Sequence, residues 1–207
     1  HIYIREMDFN KADLLAESFI NELLQEVSPD VDATIYRRML GTNTANGSIN
    51  IIPQLIKNIE KRVYIKGRAG TGKSVFMNKV AKACEQVGLG IEYYHCSFDP
   101  NSIDMIIVPT LNFCMFDSTA PHEYDPERPE DQVIDLYREA VTPGTDEKYA
   151  QDIKRITESY QSYVKKGMDH LRRAQLLQEE IETLFNHTSI EAYEEIIAEL
   201  VEQIGSN

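Results

Sequence analysis

The stretch GRAGTGKS, Gly67 to Ser74, follows directly on the apolar run Val63-Tyr64-Ile65. A buried strand that turns through glycine straight into a helix belongs to a sheet covered by helices, so this stretch constrains the fold most. Glycine lets the chain curl with φ > 0 and leaves bare backbone open to a ligand. Successive amides from about Gly70 to Ser74, together with the helix start, can then all point at one anion. With strand before and helix after, Gly67-x-x-x-x-Gly72-Lys73-Ser74 has the spacing of a phosphate-binding loop. The candidate nucleotide contacts are Gly67, Arg68, Ala69, Gly70, Thr71, Gly72, Lys73, Ser74 and Val75. Lys73 is expected to bridge the β- and γ-phosphates of ATP, and the Ser74 hydroxyl to ligate Mg²⁺. Arg68 lies inside the loop and serves equally well as a rim residue.

Such a site also needs a carboxylate at the end of a neighbouring strand to hold the magnesium shell. Phe113-Cys114-Met115-Phe116-Asp117 supplies apolar residues and then an acid, which makes Asp117 the magnesium-side candidate. Asp99, at another strand end, competes for that role or orients a water or acceptor hydroxyl. Glu123 is a candidate general base and His122 a candidate γ-phosphate sensor; the alternative for both is a solvated loop. Arg128 and Arg138 could neutralise transition-state charge or serve in surface ion pairs. The tetrapeptide Asn10-Lys11-Ala12-Asp13 spells a guanine-specificity motif, but no buried strand precedes it. The accompanying γ-phosphate sensor would be Asp117-Ser118-Thr119-Ala120, which lacks its glycine, so Asn10 is expected to cap a helix instead.

Charge bears on partners. The chain of 207 residues carries 34 acids against 21 bases, a net charge of −13. A field of that sign opposes nucleic acid or an anionic membrane as main partner. Against it stands one basic island, Lys61 to Lys82, with no acid inside it, surrounding the glycine loop. No apolar run reaches the ~20 residues that span a bilayer. Cys84, Cys96 and Cys114 lie in apolar contexts without CxxC spacing, which predicts reduced thiols and a cytoplasmic setting. His95 beside Cys96 reads as core rather than metal pair, since adjacent strand residues face opposite ways. The chain opens on His1 rather than Met, as expected of a piece of a longer protein.

Periodicity gives the remaining outline. Ile2 to Ile4 reads as a short strand and residues 11–26 as an amphipathic helix. Residues 41–48 read as a loop, 51–60 as a short helix, 62–66 as a strand, and Lys73 to Gln86 as a helix. Strands follow at 91–98, 105–109 and 112–117, then a Pro-rich acidic loop at 117–131 and a helix near 130–140. The fold class is α/β: a mostly parallel sheet flanked by helices. Three regions are expected: an N-terminal helical segment (1–40), a nucleotide-binding core (41–145), and a helical arm (146–207). In the arm, apolar residues recur in steps of three and four, with a break expected near Gly167 and a final helix folding back. The long hairpin is a candidate contact for a partner protein or a second copy.

YIKGRAGTGKS, YYHCSFDPNSIDMIIVP and FDSTAPHEYDPE resemble an uncharacterised bacterial family of tandem P-loop ATPases, over roughly residues 41–155. The resemblance implies that Gly67–Ser74 binds ATP and that Asp117, His122 and Asp99 rim the active site. It also implies that this chain is one NTPase half, the second, with residues 1–26 left from the first. The expected activity is a Mg²⁺-dependent ATPase with slow turnover. A small-molecule kinase using Asp99, and a non-catalytic nucleotide-gated module, are the alternatives.

Overall fold

The computed structural model describes residues 2–30, 33–119, 123–185 and 190–205. Its first element, α1 (Ile2–Arg5), is helical where the apolar triplet suggests a strand. A run that short has no periodicity to decide between the two states. Next comes α2, Phe9–Leu23, capped by Asp8, whose carboxylate accepts the Lys11 N–H at 3.1 Å. The helix therefore starts before Asn10, and Asp8, not Asn10 as expected, is its cap.

Six strands form the main sheet: β1 Ile35–Met39, β4 Lys61–Lys66, β5 Ile91–His95, β6 Ile103–Val108, β7 Phe113–Asp117 and β8 Gln132–Asp135. Their order is β1-β5-β6-β7-β4-β8. All run parallel except β6, which is antiparallel to both neighbours. The connections on either side of β6, residues 96–102 and 109–112, are too short for a crossover of a dozen residues, so the chain must reverse. A second, two-stranded sheet pairs β2 (Gly41–Thr44) with β3 (Gly47–Asn50) where a loop was expected. Asn46-Gly47 is the turn signal there, with Gly47 at φ 120°.

Helices cover both faces of the main sheet. On one face, α2 and α4 (Lys73–Gln86) pack over Val63, Ile65, Ile106, Phe113 and Met115. On the other, α3 (Ile52–Ile56) and Tyr124 pack over Tyr64, Tyr94, Met105, Cys114 and Phe116. Alternation along β4 sends Val63 and Ile65 to the first layer and Tyr64 to the second. β6 is buried at every position, as a strand covered on both faces should be.

The helix expected near 130–140 resolves into β8 followed by α5, Leu136–Ala140, with Asp135 capping α5. After α6 (Thr145–Lys148), α7 runs from Ala150 to Phe185 without the break expected at Gly167. α8 spans Ile190–Gly205, and residues 186–189, where the chain was expected to fold back, lie outside the described residues. The chain divides into two units, residues 1–43 with 48–159 and residues 44–47 with 160–207. No helix among the described residues is long and apolar enough to cross a membrane.

Candidate functional site

The glycine loop lies between the carboxyl end of β4 and the start of α4, with β7 and β8 flanking β4. Gly67 has φ 151°, and a Cβ built there would sit 2.5 Å from the Thr71 hydroxyl. Gly72, at φ 78°, occupies the cap position of α4 in the left-handed conformation. Lacking a side chain, it leaves the first N–H groups of the helix without a side-chain cap. α2 and α5 are capped by aspartates, whereas α4, like α3 and α6, starts without a side-chain cap.

The loop is held in shape from within. The Arg68 carbonyl accepts the Thr71 N–H at 3.2 Å, the Thr71 hydroxyl at 2.8 Å and the Lys73 ammonium at 3.0 Å. Lys73 is buried, its side chain 9% exposed, and its Nζ lies 3.5 Å from Asp117 Oδ2. A lysine is buried this deeply only when paired, since an isolated buried ammonium is costly. Ser74 Oγ accepts the Ile103 N–H at 2.8 Å, which pins the helix start to β6. Val75 faces outward and is 61% exposed.

Asp117 sits level with Ile65, the residue before the last of β4, through the parallel β7 register. Its Oδ1 accepts from the backbone N–H of Thr119 at 3.0 Å and from the Thr119 hydroxyl. Those bonds fix the carboxylate and leave Oδ2 turned to Lys73. Ser118, fully buried, donates its N–H to the Ile65 carbonyl at 2.9 Å and its hydroxyl to Tyr124 O. Lys66 Nζ reaches Tyr124 O at 2.8 Å and Asp125 Oδ1 at 3.0 Å. The segment after Asp117 is thus tied back at both ends beside the glycine loop. Glu123 belongs to that segment and is exposed; His122 lies outside the described residues.

The other expected residues have structural occupations. Asp99 is exposed, and its carboxylate accepts the Asn101 N–H at 3.0 Å, capping its own turn. Arg128 is bound to Asp131, at 2.7 Å, and to the Glu60 carbonyl. Asn10, Lys11 and Asp13 fall in the first turns of α2, with Asp13 paired to Lys79 of α4 at 2.5 Å. His95 stacks on Tyr93 and meets Arg37 through Nε2 at 3.3 Å. Among the described residues, no three His, Cys, Asp or Glu side chains cluster as a metal site. All three thiols are free.

One part of the site gave no sequence signal. Arg68 is turned out of the loop and held by Asp146 Oδ2, at 2.9 and 3.1 Å, with its guanidinium over the Tyr137 ring. The other oxygen of Asp146 accepts the Tyr3 hydroxyl at 2.7 Å. Burial first, and that bond second, push the Tyr3 hydroxyl well above its ordinary pKa. The N-terminal chain continues over the loop: Met7 Cε lies 3.5 Å from where a Cβ on Gly72 would stand, and Ile4 lies near Gly70. Residues 78 and 143 positions apart make this clamp, beyond the reach of any local pattern.

Among the described residues, the arrangement offers helix amides without a side-chain cap, one buried ammonium and one oriented carboxylate around a single turn. Such a set suits a polyanion with a divalent cation beside it. Gly67 and Gly72 form a cradle that a Cβ would strain, so the residues present fit a bound phosphate group. Compared with protein-family models, with curated proteins and with solved structures, the chain finds no match.

Proposed function

We propose that this protein is an ATP-binding P-loop NTPase that hydrolyses Mg·ATP slowly on its own. The observation that carries this reading is the uncapped start of α4 beside the buried Lys73–Asp117 pair. Holding a desolvated ammonium at a helix start is costly for packing alone and suits an anion placed between the two.

In this reading the amides of Gly70 to Ser74 hold the phosphate chain and Lys73 moves from the Arg68 carbonyl to the β- and γ-phosphate oxygens. Ser74 and Asp117 would hold Mg²⁺, which when bound would offset the phosphate charge. Glu123 orients the attacking water, His122 senses the γ-phosphate, and Thr119 keeps Asp117 aimed. Asp99, engaged in its own turn, takes the lesser part of a rim residue. Two of the arginines, Arg68 and Arg128, are bound to aspartates, which fits slow turnover. The likeness to tandem P-loop ATPases fits the same proposal, with this chain as the second half. Placement of Asn10 to Asp13 in α2 favours adenine over guanine nucleotide.

Equilibrium titration with ATP, with and without Mg²⁺, tests the proposal. Lys73→Ala should weaken binding roughly tenfold to a hundredfold, since a charge-assisted bond is worth about 1.5–3 kcal/mol. Asp117→Asn should remove the benefit of Mg²⁺. An unchanged affinity in Lys73→Ala overturns the reading.

A further inference from the structure

Along α7 between Tyr160 and Phe185 every large apolar side chain that would form a seam faces solvent: Tyr163 is 69% exposed, Leu177 50% and Ile181 47%. These residues keep a strict heptad. Gly167, Ala174 and Ile181 fall at one seam position, and Tyr163, His170 and Leu177 at the other. Exposed apolar side chains at both ends of such a seam, with the small residues Gly167 and Ala174 between them, mark a helix-contact surface. Its charge says what covers it. Residues 160–173 carry four bases (Lys165, Lys166, Arg172, Arg173) against one acid, Asp169, whereas residues 174–185 carry three glutamates and no base.

We infer that this half of α7 pairs antiparallel with the same segment of a second copy of the chain. Side-by-side parallel pairing would stack base on base and acid on acid, which opposes it. The antiparallel register centred on Arg172 sets basic half against acidic half. It also sets Tyr163 on Ile181 of the second copy, Gly167 against Leu177, and His170 against Ala174. Small faces large at the middle of the seam, as close packing requires. At the flanks, Lys166 meets Glu180 of the second copy, and the two-fold axis makes that pair twice. Arg173 alone meets its own kind, at the axis, where its long side chain can turn out to water. The inference is independent of nucleotide binding, since no residue of the glycine loop takes part.

Sedimentation equilibrium of the full chain tests it, over roughly 1–100 μM, the range in which a modest interface associates. A monomer–dimer equilibrium is expected, weakening as salt rises. Lys166→Glu or Glu180→Lys should each weaken the dimer by about tenfold, as two exposed pairs become repulsive. The double variant Lys166→Glu/Glu180→Lys should restore it, because each altered residue again meets an opposite charge across the axis. Both positions are exposed, so the variants should keep the parent's circular dichroism. A chain that stays monomeric throughout, as it would with α8 or another protein on this face, overturns the inference. A double variant no tighter than the singles overturns it as well.

Discussion

At the scale of single residues, burial decides which groups are chemically available. Cys84 is fully buried in the layer between α4 and the sheet, and that burial pushes its thiol up to about 11 from an ordinary 9.0. Cys114 goes the same way, to about 12, again through burial. Each thiol is neutral in the fold and ionises more readily in the unfolded chain. Their contribution to stability is therefore fully present below pH 9.0 and is lost as pH rises towards 11 and beyond. Urea unfolding at a series of pH values should show stability falling across that window, and Cys84→Ala should lessen the fall. A flat profile from pH 8 to 11 would contradict the burial that the fold assigns to Cys84. Lys73 presents the opposite case: a buried cationic side chain set at a helix start, with the Asp117 carboxylate 3.5 Å away.

At the scale of elements, the parts legible in the sequence are those made by their own neighbours. β4, the glycine turn and α4 read directly, because the apolar run, Gly67 and Gly72, and the helical spacing to Gln86 are local signals. Asp117 was legible for the same reason, as an acid closing an apolar run. β8 was not: Val133, Ile134, Leu136 and Tyr137 mimic helical spacing, and only the ladder to β4 makes Gln132–Asp135 a strand. β1 was missed because all five of its residues are exposed, so no alternation marks it. The clamp of Tyr3 and Asp146 on Arg68 joins distant elements and could not be read at all. α2 was legible as a helix but not as part of the core. Phe19 packs between Phe76 and Phe113, with ring centres 6.2 and 6.1 Å apart respectively. Phe19→Ala should cost roughly 2–4 kcal/mol in urea unfolding, by lost burial and a residual cavity. A cost below about 0.5 kcal/mol, the range of ordinary surface changes, would mean that α2 does not hold the sheet.

At the scale of the whole molecule, the sheet brings together one end of β4, β7 and α4, and the N-terminal chain lies across the same turn. In a protein with a net charge of −13, three cations, Lys66, Arg68 and Lys73, stand at that end, each beside an aspartate. The account depends on the amides of that turn being the ligands. The most direct measurement is amide-resolved NMR of the isotope-labelled chain during titration with Mg·ATP. The account predicts that the N–H signals of Gly70, Thr71, Gly72, Lys73 and Ser74 shift first and furthest, with no such shifts in Lys73→Ala. Saturable shifts confined to other parts of the sheet, with these amides unmoved, would contradict it.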